Sequence, residues 1–214
     1  MERFNGLKVK DCLISDFFWT MKEKHANLEL ITPGGEAEIL LHTCCAPCSS
    51  AIVEGLMEHG IKPKIFYYNP NIFPKEEYEK RKNESIRHAK LLGLDFVDAD
   101  YGHEKWLEVV QGLEKEPERG ARCLMCFKER LSMAALYAHE HGFRVFATTL
   151  GASRWKSLEQ IREAGEWAAA QFPELTFWGH NWRKGGLSER RNELVQLYDF
   201  YNQTFCGCEF SRRV

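Results

Sequence analysis

The chain has 214 residues, 44% of them apolar and 28% charged, with a formal net charge of −2. This is the composition of a globular protein that can bury a core without staples, and no uncharged apolar run approaches the roughly 20 residues that span a bilayer. The near-neutral balance gives no overall signature of nucleic-acid binding; between residues 183 and 214 six Lys or Arg stand against four acids, an excess that a solvated helix face also produces.

The opening stretch "MERFNGLKVKDCLISDFFWTMKEK" has charges throughout and no small-residue cleavage site, so it does not read as a secretory signal, and the expected location is the cytoplasm. Residues 1–37 read as an appendage, with a helix around Cys12–Leu30 followed by the breaker "TPGGE". Residues 38–214 read as one α/β domain. "EILLHT" (38–43) predicts a buried strand and "SSAIVEGLMEHG" (49–60) a helix with a Ser start and a Gly stop. A second strand is expected from Lys64 to Tyr68, a long charged helix from Pro74 to Leu92, a strand at 94–100 and a helix at 104–114. "CFKERLSMAALYAHEHG" (126–142) predicts a helix, "FRVFATTL" (143–150) a strand, Ser157–Gln171 a helix, 175–179 a short strand and 188–203 a final helix. Such alternation implies βαβ units, a mostly parallel sheet with helices on both faces, and ligand binding at the carboxyl ends of the strands.

Eight cysteines in a reducing compartment point to metal binding or redox chemistry rather than structural disulfides. Cys12 stands alone; the others form three groups, Cys44/Cys45/Cys48, Cys123/Cys126 and Cys206/Cys208. The first group follows a strand at the start of a helix, where a helix N-terminus favours the thiolate. Cys123 and Cys126, spaced as CxxC ahead of a helix, can converge on one metal, and together with the first group they could hold Zn²⁺ or an iron–sulfur cluster. Adjacent side chains such as Cys44 and Cys45 are expected to point apart and so to serve two metals or two irons. Cys48 is either a further ligand or a packed thiol. The "CGC" of Cys206–Cys208 can close into a strained, easily reduced disulfide or supply two more ligands. His42 reads as a hydrogen-bonded strand-end residue. "YYNPNIFPKEEYEKR" (67–81) and "TTLGASRWKS" (148–157) read as loops that offer stacking and phosphate contacts, with ordinary turn chemistry as the plainer explanation.

Taken together, "HTCCAPCSS", "FYYNPNIFPKEEYEKR", "GLEKEPERGARCLMCFKERL", "FATTL" and "FCGCEFS" resemble, in order and spacing, the QueH-type epoxyqueuosine reductases, cobalamin-independent enzymes of tRNA queuosine biosynthesis. The resemblance covers about residues 38–211. It implies a Rossmann-like fold related to adenine-nucleotide hydrolases, with a [4Fe–4S] cluster on Cys44, Cys45, Cys123 and Cys126. It further implies a redox-active disulfide pair at Cys206 and Cys208 and an additional mononuclear iron, for which Cys48 is a candidate ligand. The implied reaction removes the epoxide oxygen from epoxyqueuosine at the tRNA wobble position, with electrons from an unidentified donor. Tyr67, Tyr68 or Trp155 could stack on the unstacked base. After "TTL" the chain reads "SRWKS" where the family commonly has Ser-Pro-His-Lys-Asn. A thiol-disulfide oxidoreductase using Cys123/Cys126, and a zinc protein that binds RNA, are the alternative readings.

Overall fold

The computed structural model describes residues 28–99 and 101–211; Cys12 and most of the helix expected around Cys12–Leu30 lie outside them. Five strands, β1 (Glu38–Thr43), β2 (Lys62–Tyr67), β3 (Phe96–Asp98), β4 (Val145–Thr148) and β5 (Thr176–Trp178), form one sheet in the order β3-β2-β1-β4-β5. Every neighbouring pair is parallel, with Leu40 level with Phe146 on one side of β1 and with Lys64 on the other. The helices are α1 (Ala46–Glu58), α2 (Lys75–Leu91), α3 (His103–Val109), α4 (Ala121–Glu140), α5 (Leu158–Ala169) and α6 (Leu187–Leu197).

The two faces of the sheet follow from the two-residue period of its strands. Ile39, Leu41, Ile65, Val145 and Ala147 point to one side and pack with Ile52 and Leu56 of α1, Ala89 of α2, and Leu187 and Leu194 of α6. Leu40, Phe66 and Phe146 point to the other and meet Phe127, Leu131 and Ala134 of α4 and Ile161 and Ala164 of α5. Leu28 and Leu30, from the stretch read as an appendage, are buried in the first of these clusters.

The chain runs outward from β1 through β2 and β3, then crosses back to β4 and β5 on the other side. The helix after β1 therefore covers one face and the helix after β4 the opposite face, so their connections part at the carboxyl ends of these two central strands. That divergence makes the crevice in which parallel sheets hold ligands, and Cys44, Cys45 and Cys48 are there.

Several boundaries differ from expectation, each for a local reason. The helix expected from residue 49 begins at Ala46, because Pro47 occupies its first turn, where a missing N–H costs nothing. The helix expected from residue 126 begins at Ala121. The strand expected over 143–150 stops at Thr148, whose Oγ1 accepts from the Leu150 N–H at 3.2 Å and turns the chain into a short 3₁₀ segment, Thr149–Ala152. The last helix ends at Leu197, two residues before Asp199 takes a left-handed conformation at φ 49°.

Candidate metal centre

Cys44, Cys45 and Cys48 lie at the carboxyl end of central strand β1, with their sulfurs all within 4.8 Å of one another; among the described residues no other three Cys, His, Asp or Glu ligands gather so closely. Cys45 is the extended residue that caps α1, at φ −174°, and Cys48 sits one turn along the helix. The Cys44 and Cys45 sulfurs are 3.8 Å apart, contrary to the expectation that adjacent side chains diverge. The reason is the junction: strand alternation has ended at Thr43 and helical rotation has not begun, so neither period separates them.

Three thiols this close share charge unequally. Hydrogen bonds from Cys45 and then Cys48 hold the Cys44 thiol well below the usual range. Burial, together with the same Cys44 interaction, pushes Cys45 up to about 12, and Cys48 is raised by its bonds to Cys44 and Cys45. The helix N-terminus therefore does not lower all three thiols, because desolvation and neighbouring sulfurs outweigh it. Gln203 Nε2 donates to Cys45 Sγ at 2.7 Å, and Thr149 Oγ1 lies 4.0 Å from Cys44 Sγ.

Cys123 and Cys126 stand inside the first turns of α4 rather than ahead of it, three residues apart and so on one side of the helix. Cys123 joins the apolar cluster that contains Cys44 and Cys45, and its sulfur accepts from the Arg119 N–H at 3.3 Å. Cys126 packs with Trp106, Cys208 and Cys206, and burial pushes its thiol up to about 12. Cys206 and Cys208 are free thiols in this structure. Gly207 between them adopts φ 105°, a backbone open to glycine but not to a side chain, and its carbonyl accepts from the Phe73 N–H at 2.9 Å.

Two cations tie the groups together. Arg130 of α4 is buried, donates to Asn69 Oδ1 and acts on both Cys44 and Cys126. Asn69 in turn donates to the Thr43 carbonyl at the end of β1. For Lys156, burial works against the charge, yet the neighbouring thiols Cys206, Cys44 and Cys48 hold its pKa up at about 12. An all-sulfur donor set beside these two cations suits soft metals and iron–sulfur clusters, whose thiolates carry net negative charge.

A sequence model of the family described as Epoxyqueuosine reductase QueH matches residues 39–214. The chain belongs to this family. The Epoxyqueuosine reductase QueH of Acinetobacter baylyi is 47% identical over 186 residues, covering 87% of this chain and 85% of the relative. That of Haemophilus influenzae is 48% identical over 185 residues, covering 86% and 76%. That of Thermotoga maritima is 33% identical over 176 residues, covering 81% and 89%.

Within this QueH chain, several side chains around the sulfurs carry no sequence signal. Gln203 lies in an irregular segment, and Arg81 is one of many charges on α2, yet it is 3% exposed and donates to the carbonyls of Cys206 and Phe205. His42 is the strand-end residue expected of it: Nε2 donates to the Tyr68 carbonyl at 3.1 Å and Nδ1 accepts from Thr148 Oγ1 at 2.7 Å, joining β1, β2 and β4. Its burial, helped by Arg130, pulls its pKa down to about 3 and keeps the ring neutral. The stacking expected of Tyr67 and Tyr68 does not hold: both are buried, Tyr67 against Tyr78 and Phe96 and Tyr68 with its hydroxyl on Glu129, whereas Trp155 is exposed. Among the described residues no helix is long and apolar enough to cross a membrane.

Proposed function

We propose that the chain is a cytoplasmic epoxyqueuosine reductase that deoxygenates epoxyqueuosine in tRNA. The observation that carries this reading is the close group of Cys44, Cys45 and Cys48 at the carboxyl end of β1, with Cys123 packed in the same cluster, in a chain of the QueH family. In this reading Cys44, Cys45, Cys123 and Cys126 hold a [4Fe–4S] cluster. The closeness of Cys48 to Cys44 and Cys45 supports counting it as a ligand to a second, mononuclear iron. Bound there, the cluster supplies single electrons and an open iron supplies a Lewis acid for the epoxide oxygen.

The protein's own groups define the rest. The net reaction takes one epoxide, two electrons and two protons to an alkene and water. The Cys206–Cys208 dithiol can supply both electrons and both protons as it closes to a disulfide, which an external donor then reduces. Arg81 and Gly207 fix the backbone that carries this pair. Arg130 and Lys156 place positive charge against the thiolates and favour the deprotonated, ligating form. A thioredoxin-like use of Cys123 and Cys126 would leave the Cys44, Cys45 and Cys48 group without a role.

An anaerobic assay of the iron-reconstituted protein on epoxyqueuosine-containing tRNA with a chemical reductant, read by nucleoside mass, tests the activity. Conversion to queuosine is expected; a colourless, iron-free protein that is still active would refute the cluster, and stoichiometric zinc without turnover would favour an RNA-binding zinc protein. Cys45→Ala and Cys126→Ala should each lose the broad visible absorption, and a full cluster in either variant removes that residue from the ligand set.

A further inference from the structure

A concavity of about 410 Å³ opens beside the cysteine centre, walled by the β4–α5 connection, the turn before α4 and the segment after β5. Four cations line it, Arg119, Arg154, Lys156 and Arg183, against one carboxylate, Glu159. In a chain of net charge −2 this is a pronounced local reversal of sign. Two of the guanidinium groups spend their hydrogen bonds on backbone carbonyls, which fixes them without neutralising them. Arg119 donates to Trp155 O at 3.0 Å and Arg154 O at 2.9 Å, and Arg183 to Gly151 O at 2.8 Å and Lys156 O at 2.7 Å. Burial and the like charge of Arg119 both act against the charge on Arg183.

At the rim Trp155 is 69% exposed, with the Arg154 guanidinium 5.4 Å from its ring centroid. Anchored cations beside an open aromatic face are the two elements that hold single-stranded nucleic acid, the first meeting phosphates and the second stacking a base of any identity. An acidic protein would need the charge and not the exposed ring. Lys156 lines the concavity and also faces the thiols of Cys44, Cys48 and Cys206, so the concavity and the cysteine centre adjoin.

We infer that this cationic concavity seats the RNA substrate: its phosphodiester backbone lies along Arg119, Arg154 and Arg183, and an unstacked nucleobase rests on Trp155. The inference rests on the epoxyqueuosine reductase reading for the identity of the RNA, and it adds where and by which groups that RNA is held. Arg119 and Arg183, already fixed in place, lose little freedom when they meet a phosphate.

Fluorescence anisotropy of epoxyqueuosine-bearing tRNA with the anaerobically purified full chain, repeated over a range of KCl concentrations, tests it. Arg154→Glu should weaken binding about tenfold or more and make the dependence of log affinity on log salt shallower by about one. Trp155→Ala should weaken binding about fivefold or more with the salt dependence unchanged. Both side chains are exposed, and thermal unfolding verifies that each variant is folded. Unchanged affinity and salt dependence in both folded variants overturn the inference. Duplex DNA bound as tightly as the tRNA, with no effect of Trp155→Ala, overturns the base seat and leaves a general polyanion site. Nucleoside mass analysis of the wild-type mixtures separates the two readings. Epoxyqueuosine consumed, with RNA affinity indifferent to both variants, refutes the seat and keeps the enzyme; weakened RNA binding in the variants, with none consumed by the wild type, refutes the enzyme and keeps the seat.

Discussion

Replacing Arg81 with Met should loosen the Cys206–Cys208 segment, and it also removes a charge that favours the Cys45 thiolate at the end of β1. Met retains most of the apolar stem and removes the charge that donates to the Cys206 carbonyl at 3.1 Å and the Phe205 carbonyl at 3.3 Å, and that lies 5.0 Å from the Phe205 ring centroid. Glu77 loses its guanidinium partner but keeps the Tyr201 hydroxyl at 2.9 Å. Hydrogen bonds from a charged donor contribute about 1.5–3 kcal/mol each. Losing two of them at the lower figure takes about 3 kcal/mol from the ordering of this segment, or roughly a hundredfold in its opening equilibrium. Timed alkylation with a small thiol reagent, read peptide by peptide by mass spectrometry, measures this opening directly. Buried Cys208 should react at least about tenfold faster in the variant, a conservative fraction of that shift, while Cys45, whose thiolate the Arg81 charge favours, should react no faster than in the wild type. An unchanged rate at Cys208, or equal acceleration at Cys45 and Cys208, would show that Arg81 is not a local strap.

Gly207→Ala puts a Cβ 3.0 Å from Ile72 Cγ1 and 3.1 Å from Arg81 Nη1 at φ 105°; strain of about 1–3 kcal/mol should lower the unfolding midpoint by about 2–10 °C, and an unaltered midpoint would contradict the conformation. Glu54→Gln takes the buried carboxylate from Arg190, which donates to both Glu54 oxygens at 2.6 Å and also to Glu193; about 3 kcal/mol of lost stability is expected in denaturant titration, and less than about 1 kcal/mol would mean that Glu193 suffices as partner. His88 is buried edge-on to the rings of Tyr198 and Phe200; burial first, then the Arg87 charge, pull its pKa from 6.5 to about 4, while Glu54 and Glu84 act in the opposite sense. Because the unfolded chain binds this proton first, the contribution is complete above about pH 6.5 and is lost as pH falls towards 4, about 2 kcal/mol of it by pH 5. His88→Phe should flatten the stability-versus-pH curve by that amount between pH 7.5 and 5, and an identical curve would place the acid sensitivity elsewhere.

The strand at Glu38–Thr43 is legible because an apolar run after Pro-Gly-Gly leaves few alternatives, and the strand–helix alternation fixes the parallel class. The ends of elements are less legible where one side chain decides them, as Thr148 does by accepting from Leu150 and Pro47 by opening α1 three residues early. The cysteines announce themselves by grouping, but which sulfurs touch depends on a strand-to-helix junction that no periodicity describes. Arg81, Arg130 and Gln203 were hidden for a different reason. A buried arginine on a charged helix has the same local sequence as a solvated one, and only the arrival of residues more than a hundred positions away, or of a distant loop, buries it. Tyr67 and Tyr68 illustrate the converse, since aromatic residues after a strand suit a binding loop and a core equally well.

Arg119 adopts φ 68° without being glycine, and four neighbours hold it there. Its N–H donates to Cys123 Sγ, its carbonyl accepts from Gln160 Nε2 of α5 at 2.9 Å, and its guanidinium grips the carbonyls of Arg154 and Trp155. A single strained residue thus belongs at once to a sulfur and to an exposed loop. Free-energy coupling of this kind is reciprocal: whatever factor a ligand on the loop imposes on the state of that sulfur, the state of the sulfur imposes on the ligand. A variant at Arg119 that changed both the reactivity of Cys123 and the affinity of a ligand on the loop would reveal such a coupling.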